Sequence, residues 1–184
     1  MKTLNNKLTK TLIAAGLAAA SCVTFAQSSS YGEVAYVSGR YSEPGISANP
    51  TSLRLIYGMK SSDTLSYEGL LALGMATGNG RYLTVNYGIK ENSVLGFYAK
   101  GTSKLSDGVQ VFGRFGFTST SLTDTASGPG GSIQQTTSGT SLSYGAGLNF
   151  NIDATSSVNL DYMAYYNRNG INLNGLGLGS QRAF

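Results

Sequence analysis

Apolar and polar residues alternate along most of the chain after residue 30. In residues 142–152 every second position is apolar, from Leu142 to Ile152, and the positions between them are Ser, Gly or Asn. This period of two is typical of a β-strand, whose successive side chains point to opposite faces. The same alternation recurs in residues 51–60, 65–75, 109–117 and 158–166. The pattern predicts an all-β protein.

The apolar faces of these five segments carry no charge, whereas the polar faces hold Gly, Asn and single charges. Charged residues make up only 12% of the chain, and a soluble domain has about 25%. Such strands suit a sheet with lipid on one side and a lumen on the other. A soluble lipocalin-like barrel, the alternative, has a polar outside and an apolar inside. We therefore predict a transmembrane β-barrel.

The number of strands follows from the turns. Single-chain bacterial barrels have an even number of antiparallel strands, but nine segments have strand character. They are residues 31–41, 51–60, 65–75, 81–90, 94–101, 108–119, 141–152, 157–167 and 171–184. Turn signals at residues 61–64, 105–108 and 152–155 place three tight turns at one rim of the barrel. Residues 76–93 then form a single connection at the opposite rim, in which residues 81–90 extend a barrel strand and are not counted as a separate one. The prediction is an eight-stranded antiparallel barrel, with ten strands as the alternative.

The opposite rim then carries four longer connections, at residues 42–50, 76–92, 120–140 and 167–170. The third has no apolar periodicity and is expected to be an irregular, mobile loop. The fourth ends in Asn169-Gly170, which predicts a tight hairpin turn.

The first 26 residues have the layout of a secretory signal peptide. A basic start precedes a nine-residue apolar run, Leu12 to Ala20, and small residues stand at Thr24 and Ala26. This run is too short for a membrane-spanning helix, and we expect cleavage after Ala26, leaving residues 27–184 as the barrel domain. Cys22, the only cysteine, lies in this leader. A lipid anchor on Cys22 is the alternative to its loss with the leader.

The formal net charge of +4 gives no reason to expect nucleic acid as a partner. The 13 basic residues include Lys2, Lys7 and Lys10 of the leader, which holds none of the nine acidic residues. The exported chain is therefore close to neutral and has no basic patch from which nucleic-acid binding could be argued.

Two stretches of the chain resemble small outer-membrane β-barrel proteins of the superfamily that includes opacity-like, OmpX-like and OmpA-like proteins. They are residues 96–100 (GFYAK) and residues 104–116 (KLSDGVQVFGRFG). The chain also ends in the aromatic Phe184, and the resemblance implies that this residue is a C-terminal insertion signal. It further implies an outer-membrane location after export, with outer-membrane lipid and the barrel-insertion machinery as partners.

Enzyme chemistry is not expected. The chain contains no histidine, so Ser-His and Asp-His catalysis are excluded and zinc loses its usual imidazole ligand. Paired carboxylates of a glycosidase type would need a sugar-sized cleft, and an eight-stranded barrel has room for little beyond side chains. We predict no catalytic, cofactor-binding or metal site and no cofactor.

The predicted inward faces carry three acids and three bases, which we expect to neutralise one another as a lumen charge network. They are Glu33, Arg54, Glu68, Lys100, Arg114 and Asp161. Several tyrosines share the opposite, lipid-facing phase and are expected to form interfacial girdles. They are Tyr57, Tyr67, Tyr144, Tyr162 and Tyr166.

These features predict a monomeric integral outer-membrane barrel with a structural or surface-interaction role through its extracellular loops. The loops would bind an extracellular partner that the sequence does not identify. A small porin or ligand channel is the alternative, and it requires a continuous water path through the lumen.

Overall fold

The computed structural model describes residues 30–184, so the predicted signal peptide and Cys22 lie outside the described residues. Ten strands occupy this part of the chain, and it contains no helix long and apolar enough to cross a membrane. The strands are β1 (Ser30–Glu43), β2 (Ile46–Ala48), β3 (Thr51–Lys60), β4 (Leu65–Ala76), β5 (Gly78–Tyr82), β6 (Val85–Ser106), β7 (Val109–Gly128), β8 (Gly131–Asn151), β9 (Ser156–Arg168) and β10 (Ile171–Ala183).

Eight of the strands close into a ring. Their order is β1, β3, β4, β6, β7, β8, β9 and β10, and β10 pairs with β1 to complete the barrel. The pairings are antiparallel, as expected for strands that follow one another along the chain. The short strands β2 and β5 lie outside the ring and pair with β1 and β6. The predicted eight-stranded barrel is confirmed.

Tight turns join the strands where the sequence predicts them. β3–β4, β6–β7 and β8–β9 are connected at one end by short segments that fall within the three predicted turns. At the other end Asn169 and Gly170 have φ angles of 55° and 81°, as a two-residue hairpin turn with positive φ at both positions requires. Because short turns mark the periplasmic side of such barrels, the longer connections mark the outer side.

The β8–β9 turn is held by the carboxylate of Asp153. Its Oδ1 accepts hydrogen bonds from the amides of Thr155 (2.7 Å) and Ser156 (2.8 Å) and from the Thr155 hydroxyl (3.0 Å). These bonds, above all the one from the Thr155 amide, hold the pKa of Asp153 below its usual range. Ionised Asp153 therefore stabilises the folded state above the ordinary aspartate pKa, and this contribution is lost as the pH falls through the lowered pKa.

We expect Asp153→Ala to lower the free energy of unfolding at about pH 7 and to have a smaller effect at a pH below the lowered pKa of Asp153, where the native carboxylate is itself protonated. Urea unfolding in lipid vesicles, followed by gel mobility, measures both values. Asp153→Asn is the matched control, since it keeps an oxygen acceptor without the charge. An equal loss at both pH values would contradict this account of the turn.

The outer end is more regular than the sequence predicts. Residues 120–140 are not an irregular loop: β7 runs on to Gly128, β8 starts at Gly131, and the two pair along their whole outer length. Ser and Thr side chains bridge these polar strands, as between the hydroxyls of Thr123 and Thr136 at 2.9 Å. The sequence shows no apolar periodicity here because both faces of the two strands lie beyond the lipid. The strands still form because their backbone hydrogen bonds do not depend on apolar side chains.

The other two long connections also contain strands. Residues 42–50 include β2, which follows a turn at Pro44-Gly45. Within residues 76–92, β5 and the start of β6 form a hairpin. The predicted strand extension at residues 81–90 is therefore only partly right: it begins at Val85, and residues 81–82 belong to β5.

Outward-facing side chains form an apolar band around the barrel. It includes Leu55, Leu95, Phe115 and Leu178, whose exposed fractions lie between 39% and 60%. Four of the five predicted girdle tyrosines are exposed: Tyr57, Tyr67, Tyr144 and Tyr162.

The fifth predicted girdle tyrosine, Tyr166, is buried, so that prediction is wrong. The pairing of β9 with β10 shifts register between Leu173 and Asn174, where the partners jump from Tyr166 to Ala164. This bulge at Tyr165 reverses the phase of the residues beyond it. Tyr166 consequently points inward and packs beside Leu173 in the apolar cluster of the barrel interior.

Candidate functional site

The barrel places all six predicted lumen charges inside. Glu33 lies on β1, Arg54 on β3, Glu68 on β4, Lys100 on β6, Arg114 on β7 and Asp161 on β9. Each is at most 2% exposed. Each comes from the strand face that alternates with the lipid-facing residues, so closure of the barrel brings the six side chains together.

Arg114 lies at the centre of this charge network and contacts all three acids. Its Nη2 is 2.6 Å from Glu33 Oε2, its Nε is 2.6 Å from Glu68 Oε2, and its Nη1 donates to Asp161. One planar guanidinium presents five donors in a fixed fork, and here they reach three carboxylates at once.

Arg54 and Lys100 complete the neutralisation. Arg54 donates to Glu33 at 2.6 Å and to both oxygens of Asp161, at 3.0 and 2.7 Å. Lys100 Nζ is 3.3 Å from Glu68 and lies 4.5 Å from the centre of the Phe112 ring. Three acids thus face three bases, and the network carries no net charge when all six are ionised.

Two tyrosines add hydrogen bonds to the network, and the sequence pattern did not lead to their prediction. The Tyr31 hydroxyl donates to Glu68 at 2.6 Å, and the Tyr165 hydroxyl accepts from Arg54 at 2.9 Å. Tyr31 shares the inward phase of Glu33, which could have indicated its position. Tyr165 could not have been found in this way, because its inward direction depends on the bulge in β9.

The two strands without a network charge, β8 and β10, supply space for it. A Cβ atom at Gly147 of β8 would stand 2.6 Å from the ring of Phe112, and one at Gly177 of β10 would overlap the Asp161 carboxylate. These glycines let the charged side chains reach one another across a narrow barrel.

The lumen is closed on the outer side of the network by apolar side chains. They belong to one buried cluster that includes Leu70, Val94, Tyr98, Met163 and Leu173. The alternation in the sequence predicts small and polar residues on the inward faces and does not indicate this apolar plug. On the periplasmic side a polar cavity of about 470 Å³ opens to solvent and reaches Gln181, which accepts from Lys100 at 3.1 Å. This cavity therefore contacts the charge network through Gln181, on the periplasmic side.

The chemistry available to this site is electrostatic and structural. The carboxylate oxygens of the network are engaged by arginine, lysine or tyrosine donors, and within residues 30–184 no group of three acidic, histidine or cysteine side chains is arranged to hold a metal ion. A network in which every carboxylate oxygen accepts a hydrogen bond or ion pair fixes the relative positions of the strands that contribute to it.

Phe184, predicted as an insertion signal, follows β10 at the periplasmic end. Its backbone exchanges hydrogen bonds with Ser30, of 3.2 and 2.9 Å, across the junction of β10 and β1. Its ring is 72% exposed and lies 6.2 Å from the ring of Tyr57. The residue thus lies at the seam where the barrel closes, and its role in insertion stays a prediction.

Comparison with protein families decides the kind of barrel. A family model described as an outer membrane protein β-barrel domain matches residues 11–184. The chain belongs to this family. Outer-membrane β-barrels of the family support an outer-membrane location for this one. No curated protein matches the chain.

Solved structures of small outer-membrane β-barrels share the fold. Ail, the attachment invasion locus protein of Yersinia pestis, matches with a TM-score of 0.62 and 20% identity, covering 86% of this chain and 100% of Ail. Neisserial surface protein A matches with a TM-score of 0.61, 14% identity and the same coverage. The N-terminal β-barrel domain of OprF from Pseudomonas aeruginosa has a TM-score of 0.52 and 16% identity, again covering 86% of this chain and 100% of that domain.

Proposed function

We propose that this outer-membrane β-barrel is a surface-binding protein that acts through its outer strands, and that its lumen is a sealed core that stabilises the barrel. The observation that carries the proposal is the extension of the sheet at the outer end. The β6–β7 ladder continues to Asn86 and Ser127, and the β7–β8 ladder to Gly128 and Gly131. The next hairpin, β9–β10, turns much earlier along the ladder. An extended sheet of this kind presents backbone and side chains well beyond the lipid.

Charge at the outer end favours an anionic polysaccharide as the partner. The exposed charged side chains there are all basic: Arg40, Arg81, Lys90 and Arg168. The acids of the same region are half-buried or, for Glu91, buried. Ail of Yersinia pestis has been solved in complex with the heparin analogue sucrose octasulfate. A sulfated or phosphorylated polysaccharide would meet only positive exposed charge at this end of the chain.

The porin alternative is disfavoured by the lumen. A conducting path would have to cross the charge network, whose arginines and carboxylates are inaccessible to solvent, and then the apolar plug. Moving water or an ion through both requires breaking buried ion pairs, which costs several kcal/mol.

Polyanion binding tests the proposed function. We expect the folded protein in detergent micelles to bind heparin, with an affinity that falls as salt is added. Changing Arg40, Arg81, Lys90 and Arg168 together to Gln should weaken binding at least roughly tenfold, because four exposed charges that contribute about 0.4 kcal/mol each already account for a tenfold change. The matched control changes Lys60, Lys104 and Arg182, which are exposed at the periplasmic end. Equal affinities for the two variants would overturn the proposal.

A further inference from the structure

The outer part of β8 has a free edge. β8 pairs with β7 from Gly131 to Phe150, but its ladder with β9 starts only at Tyr144. Just outside that ladder, Arg168 of β9 still donates to the Thr140 carbonyl at 3.3 Å. Within the described chain, residues 132–138 have no strand beside them on this side.

The direction of the backbone groups along this edge follows from two hydrogen bonds. The Asn151 amide donates to Gly108 on the β7 side, at 2.9 Å, whereas the Thr140 carbonyl accepts on the β9 side. In an antiparallel strand the N–H and C=O of one residue point to the same side, and those of the next residue point to the other side. Because the β7–β8 ladder has no register shift, even-numbered residues of β8 point away from β7, as Thr140 does. Ser132, Gln134, Thr136 and Ser138 therefore direct their backbone groups to the open edge.

This edge lacks the features that protect exposed strands. Natural sheets guard their edges with charges, prolines, bulges or covering segments. Residues 130–143 contain neither a charged residue nor a proline, and residues 131–136 are exposed. The edge is thus a regular, neutral template for another strand.

We propose that the β8 edge pairs antiparallel with the β8 edge of a second copy of this chain, in a refinement that rests on the proposed surface role. A two-fold axis at Gln135 sets Gln134 opposite Thr136 and Ser132 opposite Ser138. In each pair both residues direct N–H and C=O toward the other copy, so the ladder is complete. Gln faces Thr and Ser faces Ser across it, and such polar pairs stabilise neighbouring strands.

A second copy fits better than a charged partner because the edge carries no charge to complement one. The extent of pairing is also set by the chain itself. Beyond Ser138 the edge is occupied, since the Tyr166 side chain lies against Gly139 and Arg168 holds Thr140. The tip of the second copy, at Pro129-Gly130, ends next to this obstacle when the axis is at Gln135.

The symmetry of the ladder determines where the second copy stands. Two copies in one membrane point the same way, so their β8 edges would run parallel. The two-fold axis that relates such copies lies along the strands. It would turn the sheet of one copy over relative to the other, so that the pleats would not match. An antiparallel ladder has its two-fold axis across the strands, so the two barrels point in opposite directions. The pairing therefore joins copies in two opposed membranes, while each membrane holds monomers.

Vesicle aggregation, with charges of either sign introduced at the β8 edge, tests this inference. Residues 27–184 are folded into neutral phosphatidylcholine vesicles, and the aggregation of the vesicles is followed by light scattering. Many copies on each vesicle amplify a weak contact. Wild-type vesicles should aggregate, giving a several-fold rise in scattering over empty vesicles.

Two edge variants make the result specific. Gln134→Lys with Thr136→Lys, and Gln134→Glu with Thr136→Glu, each place like charges opposite one another and should abolish aggregation. Mixing Lys vesicles with Glu vesicles should restore it. Leu83→Lys with Thr84→Lys, exposed at the β5–β6 turn away from the edge, should leave aggregation as in the wild type.

Wild-type vesicles that stay dispersed, or Lys and Glu vesicles that gain nothing on mixing, would overturn the inference. Heparin binding by the same preparations separates this failure from failure of the proposed function. A dispersed protein that still binds heparin through its exposed cations keeps the surface role and loses only the strand pairing.

Discussion

Arg114→Ala is expected to destabilise the folded barrel by about 3–5 kcal/mol, the cost of breaking a buried ion pair by removal of one partner. Arg114 is the only residue of the described chain that contacts Glu33, Glu68 and Asp161 at once. Without it three buried carboxylates face two bases, and one negative charge is left uncompensated in a site that solvent does not reach. Urea unfolding in lipid vesicles, scored by the gel mobility of unboiled samples, gives the free energy.

A second substitution shows whether charge or packing causes the loss. Glu68→Gln in the Arg114→Ala background removes the excess negative charge and should recover part of the stability, whereas Glu68→Gln alone should be destabilising. Arg182→Ala, at an exposed arginine of the periplasmic rim, should have little effect. A stable Arg114→Ala protein would mean that the charge network does not hold the barrel together.

Leu55→Arg is expected to cost about 2–4 kcal/mol, the range for arginine on the lipid face near the bilayer midplane. Leu55 is the middle of three outward apolar residues on β3, and it pairs with Val34 and Leu71 on the neighbouring strands. All three side chains belong to the apolar band, so a guanidinium at this height has no polar neighbour on the outer surface.

Leu105→Arg is the matched control, since Leu105 is 68% exposed and adjoins the periplasmic β6–β7 turn. The same chemical change there should alter the free energy of unfolding by less than about 1 kcal/mol, as found close to the membrane interfaces. Equal costs at the two positions would show that the outward face of β3 does not contact lipid.

The sequence was sufficient for the barrel because its ring strands repeat one simple constraint. A face in lipid tolerates no charge, so apolar residues at every second position identify both the strand and its outward side, as in residues 142–150. Short turns with Asp, Ser and Gly then indicated where the strands turn at one rim, and this determined the number of strands in the ring. Beyond the lipid this constraint ends, and the polar strands of residues 120–140 were mistaken for an irregular loop.

The lumen could be predicted only in part. Alternation indicated that Glu33, Arg54 and Arg114 point inward, but which charges meet depends on strand register and on barrel closure. The apolar plug was not predicted because Leu70 and Val94 are apolar although they lie in the inward phase, whereas alternation by itself assigns apolar residues to the lipid face. Tyr166 was misassigned because one extra residue in β9 reverses the phase, and the alternation before it gives no sign of the bulge.

Ion conduction tests the central claim, a barrel whose lumen is sealed by paired charges and apolar side chains. Folded protein, checked by its gel mobility before and after boiling, is added to a planar lipid bilayer under an applied voltage. The sealed lumen predicts that no stable current steps appear above the baseline of the bare bilayer. Steady single-channel currents from the unmodified protein would contradict it and favour a porin.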